Sequence, residues 1–142
     1  MYEFAYQRPS SLSEAVELSA HADEGSFLAG GMTLIPTLKL RLANPSDLID
    51  LSGLDDLKGI KQEGNAIVVG AMTIHAQVAS APEVKEHLPA LADLAESIGD
   101  PQVRNRGTIG GSIANADPAA DYPAAVLGLG ATVHTSTRTI AA

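Results

Sequence analysis

The first fifty residues alternate between strand-like and helix-like segments, and this order limits the possible folds more than any other feature. Glu3 to Tyr6 suits a short strand. Ser11-Leu12-Ser13-Glu14 fits a capping box, with Ser11 as N-cap and Glu14 as its reciprocal partner. Leu12, Ala15, Val16 and Ala20 then recur at helical spacing. Ser26-Phe27-Leu28-Ala29 reads as a buried strand that stops at Gly30-Gly31. Thr33 is placed to cap a helix over Leu34 to Leu42, with Pro36 in its first turn. Asn44-Pro45-Ser46 breaks the chain, and Leu48 to Leu51 reads as another buried strand. Strand, helix, strand, helix, strand implies a small, mostly parallel α/β unit.

After Leu51 the pattern changes. Gly59 to Gln62 and Ala66 to Val69 flank Glu63-Gly64-Asn65, a hairpin signal. Thr73 is a candidate cap for a helix reaching Ser80. Pro82 opens a second helical segment and Pro89 to Ile98 a third, with Leu91, Leu94, Ala95 and Ile98 on one face and Gly99 as its stop. An apolar helix follows near Pro123 to Leu129, then a strand over Ala131 to Thr135 whose partner would be Arg138 to Ala142. The expected class is α+β: an α/β unit over residues 1–51, then a mixed or antiparallel sheet with helices over 52–142. Ending on an open strand points to a fragment, or to a second polypeptide that completes the fold.

Composition removes several function classes. Seventeen acidic against nine basic side chains give a net charge of −8, which argues against general binding to nucleic acid or anionic membranes. A local phosphate site built from backbone amides stays open. With no cysteine, the chain forms no disulfide and holds no thiolate-ligated iron–sulfur cluster. No stretch is long and apolar enough to be a membrane span, and Met1 to Ser11 lacks the pattern of a secretory signal. A soluble, cytoplasmic protein is the default expectation.

Two glycine-rich stretches carry the candidate chemistry. The first, Ala29-Gly30-Gly31-Met32-Thr33-Leu34-Ile35-Pro36, joins a strand to a helix. Such a loop lets the backbone approach a ligand, and free N–H groups there favour a pyrophosphate; the alternative is a tight turn without a ligand. The second runs from Gly107 to Asp121 and is built almost wholly of small residues. It has little side-chain area to bury, so contact with a ligand would order it. Thr108 and Ser112 offer hydroxyls, and the glycines offer amides. A branched side chain at Gly110 would sit where a phosphate approaches. Asp117 suits a helix N-cap better than a ribose acceptor.

Other motifs are weaker. No P-loop is present. Gly128-Leu129-Gly130 starts like a dinucleotide fingerprint, but Val133 stands where the third glycine would, and a helix end is the better reading. His21, His75, His87 and His134 have no metal-ligand spacing. His75 could face a site, though a solvent-exposed or hydrogen-bonded structural role is the ordinary reading. Arg104 and Arg106 suit phosphate pairing, partner docking or plain solvation equally well. No catalytic triad or carboxylate pair stands out.

In this order, about eighty residues apart, the two stretches resemble the FAD-binding medium subunit of the molybdenum hydroxylases, the group of carbon monoxide and xanthine dehydrogenases. AGGMTLIP looks like the first flavin loop and TIGGSIANADPAAD like the second. The resemblance also takes in KLRL at Lys39 to Leu42, LIDLSGL at Leu48 to Leu54 and VGAMTIH at Val69 to His75. It implies the N-terminal part of a PCMH-type FAD-binding fold. Ala29, Gly30, Gly31, Met32, Thr33, Leu34, Ile35 and Pro36, with Thr108, Ile109, Gly110, Gly111 and Ser112, would wrap the FAD pyrophosphate. Asp121 falls at a family FAD-contacting aspartate, and Ile98 at an apolar contact to the cofactor. The implied partners are a molybdenum-binding large subunit and an iron–sulfur small subunit with [2Fe-2S] clusters, in a hetero-oligomer. This chain would carry electrons, with no metal ligand or catalytic residue of its own. A stand-alone flavin oxidoreductase and a non-catalytic assembly module are the alternatives.

Overall fold

A computed structural model describes all residues 1–142. Three strands, β1 (Ala5–Gln7), β2 (Gly25–Leu28) and β3 (Asp47–Asp50), form a parallel sheet in the order β1-β3-β2. Two helices, α1 (Leu12–His21) and α2 (Leu34–Lys39), make the crossovers. The predicted α/β unit is therefore present. The central strand is the buried one: Leu48 and Ile49 are shielded, whereas β2 alternates and leaves Phe27 47% exposed. The expectation of a buried strand at Ser26 to Ala29 fails because β2 is an edge strand of this sheet.

Ser11 caps α1 as expected, its hydroxyl accepting from the Glu14 N–H at 3.1 Å. The reciprocal contact is displaced by one residue. Glu14 accepts from the backbone and hydroxyl of Ser10, both at 2.7 Å, rather than from Ser11. Thr33 precedes α2 but makes no capping bond, because its own backbone is already helical. The helix stops at Lys39, short of Leu42, and Arg41 takes a left-handed turn.

Two 3-10 turns, Leu51–Gly53 and Asp55–Leu57, lead out of β3. The expected hairpin follows as β4 (Ile60–Glu63) and β5 (Ala66–Val69), paired antiparallel around Gly64-Asn65. Next come α3 (His75–Ser80), α4 (Pro82–His87), α5 (Pro89–Ser97), a single turn α6 (Pro101–Arg104), α7 (Ile109–Asn115) and α8 (Asp121–Gly128). A second hairpin, β6 (Thr132–His134) with β7 (Thr139–Ala141), follows them. Antiparallel strands in this part are confined to the two separate hairpins, apart from one isolated bridge between Ile74 and Thr108.

Several local expectations give way to tertiary bonds. Thr73 caps no helix. Fully buried, its hydroxyl donates to the Gly59 carbonyl and accepts from the Gly59 N–H, both at 3.0 Å. Gly99 does not end α5 in a left-handed turn; Ile98 leaves the helical conformation, and its carbonyl accepts from Arg104 Nη1 at 2.7 Å. Asp117 caps a turn by accepting from the Ala119 N–H at 2.9 Å, four residues ahead of α8.

The main core gathers Val78, Ala79 and Val84 with Leu91, Ala92, Ala95, Ile109 and Tyr122. A smaller one, Ala15 with Ile49 and Leu54, sits under the parallel sheet. Burying each larger aliphatic side chain contributes about 1.5–3 kcal/mol.

Candidate cofactor-binding cleft

The two glycine-rich stretches meet. A Cβ at position 30 would come within 2.8 Å of Gly107 Cα and closer still to the Arg106 carbonyl, so only glycine fits there. Gly111 faces the Ala29 methyl across the same seam. Gly31 has φ +76°, a left-handed conformation that glycine adopts without strain.

The two stretches use their amides differently. Gly30, Gly31, Met32 and Thr33 donate no backbone hydrogen bond to the protein. Four consecutive amides are thus left without a protein acceptor, and unused backbone amides of this kind suit an anion. The second stretch is α7 rather than an open loop. Thr108 caps it, accepting from the Gly111 N–H at 3.1 Å. The Ile109 N–H donates to the Thr73 carbonyl and the Gly110 N–H to the Ala71 carbonyl. Ile74 and Thr108 form an antiparallel bridge, and the His75 N–H donates to the Gly107 carbonyl. The expectation that glycine amides here are free for a phosphate is therefore corrected: Ala71 to His75 and the helix itself consume them. A side chain at Gly110 would strike Ala71, not a ligand, since a Cβ there would lie 2.6 Å from the Ala71 carbonyl oxygen.

A cleft of about 590 Å³ opens along this seam, within the range of small-molecule sites. Ala29, Gly30, Gly31, Met32, Thr33 and Leu34 line it from the first stretch, and Thr108, Gly110, Gly111 and Ser112 from the second. Ile35, Pro36, Ile98, Ile109 and Asp121 lie outside its lining. Ile109 packs into the main core, and Ile98 lies against that core.

His75 also lines the cleft, and sequence reasoning undervalued it. It is neither solvated nor hydrogen-bonded as expected: the residue is 6% exposed, and its Nδ1 has no partner. Its ring packs 5.1 Å from that of Tyr122, whose buried hydroxyl also lacks a partner. Burial pushes the His75 pKa down, against an opposing pull from Asp121. Burial likewise raises the Tyr122 phenol well above its ordinary value. Only tertiary contacts reveal this pair, although its place next to the VGAMTI run was a partial signal. Ser26, Phe27, Leu51 and Val103 also line the walls without having been singled out as site residues.

The nearby arginines make no contribution to the lining. Arg104 is held by the Ile98 carbonyl and by Glu96 at 3.5 Å, so it braces α6. Arg106 offers its backbone to Gly30, not its guanidinium to the cleft.

Residues 2–141 match the family described as the FAD binding domain in molybdopterin dehydrogenase. The chain belongs to that family. Among members of this FAD-binding family, the carbon monoxide dehydrogenase medium chain of Hydrogenophaga pseudoflava is 48% identical over 122 residues, covering 85% of this chain and 42% of that one. The glyceraldehyde dehydrogenase medium chain of Sulfolobus acidocaldarius is 43% identical, covering 92% of this chain and 47% of its own length. The solved quinoline 2-oxidoreductase of Pseudomonas putida 86 superposes with a TM-score of 0.93 at 36% identity, covering 98% of this chain and 50% of that one. The chain thus spans about half the length of the relatives it matches. No helix is long and apolar enough to cross a membrane.

Proposed function

We propose that this chain is the FAD-holding portion of a molybdenum hydroxylase, working with a molybdenum-binding large subunit and an iron–sulfur small subunit. One observation carries the reading: four backbone amides without a protein acceptor, Gly30 to Thr33, belong to residues that line a cleft at the seam of two glycine-rich stretches. A pyrophosphate fits that donor set, because amides offer hydrogen bonds without bringing a competing charge. Bound FAD accepts one or two electrons, and so links single-electron clusters to an outside two-electron acceptor.

The chain's own part is to hold and orient. Gly30 and Gly31 shape the loop, Thr33 and Ser112 present hydroxyls, and Phe27 and Leu51 exclude water from one wall. Ile98 and Asp121, outside the cleft, would touch the cofactor only where it extends beyond this seam. In this reading the chain has two lobes, residues 1–51 and 52–142, with the cofactor between them; the main core lies wholly within the second lobe, while Leu54 reaches back to join the small core of the first. Absence of cysteine agrees with clusters on another chain.

Titration of the purified chain with FAD, followed by flavin fluorescence quenching, tests the proposal. Saturable binding near one equivalent is expected, with co-purification of molybdenum- and iron–sulfur-containing chains from the native source. A protein that refuses added FAD would overturn it.

A further inference from the structure

Two buried side-chain polar atoms in this chain lack a hydrogen-bond partner, and they belong to neighbouring rings: His75 Nδ1 and the Tyr122 hydroxyl. Unpartnered buried polar atoms are rare, and a cluster of two calls for an explanation. The tautomer of His75 follows from the enclosure of Nδ1, which has no acceptor within reach. A proton on Nδ1 would add a second stranded donor beside the Tyr122 O–H. A proton on Nε2 instead leaves Nδ1 an unprotonated, unpartnered atom and puts the donor on the nitrogen that is not enclosed. Nε2 lies beside Gly107, where a Cβ would come within 2.5 Å of that nitrogen. Gly107 is also the residue against which Gly30 is packed, and all three line the cleft.

We propose that His75 is a positioning residue that donates from Nε2 to a phosphate oxygen of the bound dinucleotide, opposite the free amides of Gly30 to Thr33. This rests on the FAD reading above and deepens it. Tyr122 packs against the ring and holds its orientation. Burial favours the neutral imidazole, which supplies a donor and leaves the ring uncharged.

Three variants of the 142-residue chain test the assignment, each titrated with FAD and with ADP and each melted without ligand. His75→Phe keeps a flat ring against Tyr122 but removes both nitrogens. It is expected to raise Kd for FAD and ADP alike by about tenfold, while the ligand-free melting temperature holds or rises because a stranded polar atom is gone. His75→Gln keeps a donor near the position of Nε2 and is expected to bind within about threefold of wild type. His75→Asn carries its amide nearer to Nδ1 and is expected to behave like the phenylalanine variant; it replaces that variant if the latter fails to fold. Wild-type affinity in His75→Phe, or in His75→Asn where it serves as substitute, would overturn the assignment and leave the FAD reading standing. So would equal loss in His75→Gln and His75→Phe, or a loss for FAD with none for ADP. A wild-type chain that binds neither ligand would remove the FAD reading itself.

Discussion

Gly30 is packed against Gly107 so tightly that a methyl group at position 30 would lie 2.8 Å from the Gly107 Cα. The neighbour is backbone, which cannot swing aside as a side chain can. Gly30→Ala is therefore expected to destabilise the chain by about 1–3 kcal/mol, the usual range for overpacking. Because the same seam forms the cleft, FAD affinity should fall with it. Paired urea melts and FAD titrations check this; an unchanged melt would mean that the two stretches part easily.

Ser112 tests the cleft with less risk to the fold. It is half-buried on α7 and lines the cleft wall. Ser112→Ala should change FAD affinity by no more than a few-fold, the scale of one neutral hydrogen bond. Ser112→Asp places a carboxylate beside the expected diphosphate and should weaken binding by at least tenfold, with little effect on melting. Fluorescence titration separates the two, and equal affinities would place the phosphates elsewhere.

Salt dependence discriminates between amide and arginine recognition. The chain carries a net charge of −8, and neither Arg104 nor Arg106 lines the cleft. Amide donors are hardly screened by salt, whereas repulsion between like charges is. Raising sodium chloride from about 0.05 to 0.5 M should leave FAD affinity flat or slightly tighter. A tenfold loss would show guanidinium–phosphate pairing.

Sequence reasoning reached the parallel unit and the hairpin at Glu63-Gly64-Asn65 because both depend on local periodicity and turn chemistry. It also brought the two glycine stretches together as one candidate site. It misread the second stretch, since Gly110 and Gly111 are poor helix formers by propensity. The segment Ala71 to His75 supplies the missing incentive by binding the amides of Ile109 and Gly110. Thr73 looked like a cap for the same reason that Ser11 is one. Whether a threonine hydroxyl serves its own helix or a distant Gly59 is decided by burial, which the local pattern does not encode.

The buried His75 predicts an acid-side loss of stability. Its folded pKa lies below the ordinary 6.5, with burial as the main cause. Above 6.5 the ring is neutral in both states and contributes no pH dependence. As pH falls below 6.5, the unfolded chain takes up a proton that the folded chain resists, so stability declines until the folded pKa is reached. Urea midpoints for wild type and His75→Phe, compared between pH 7.5 and 5.5, should diverge on the acid side. The other histidines cancel in the difference, and parallel curves would refute the buried placement.

Asp50 ties the parallel sheet to the chain that leaves it. One carboxylate oxygen accepts from the Ser52 N–H at 2.8 Å and starts the 3-10 turn; the other accepts from the Tyr6 hydroxyl on β1. Burial pushes the carboxyl pKa up, but the Tyr6 hydroxyl, Ser52 and Arg8 together outweigh it and leave it below the ordinary value. The same hydrogen bond raises the Tyr6 phenol. A lowered carboxyl pKa stabilises the fold above its ordinary 3.8, and that contribution disappears as pH falls through the folded value. Asp50→Asn removes the charge and turns one acceptor into a donor facing another donor, the Ser52 N–H or the Tyr6 O–H. It should cost about 1–3 kcal/mol near neutrality, while Tyr6→Phe, on an exposed ring, should cost less. Since both changes break one shared bond, the double variant should lose less than the two singles together. Urea melts of the four proteins give the coupling directly, and strict additivity would show that the hydroxyl and the carboxylate act independently.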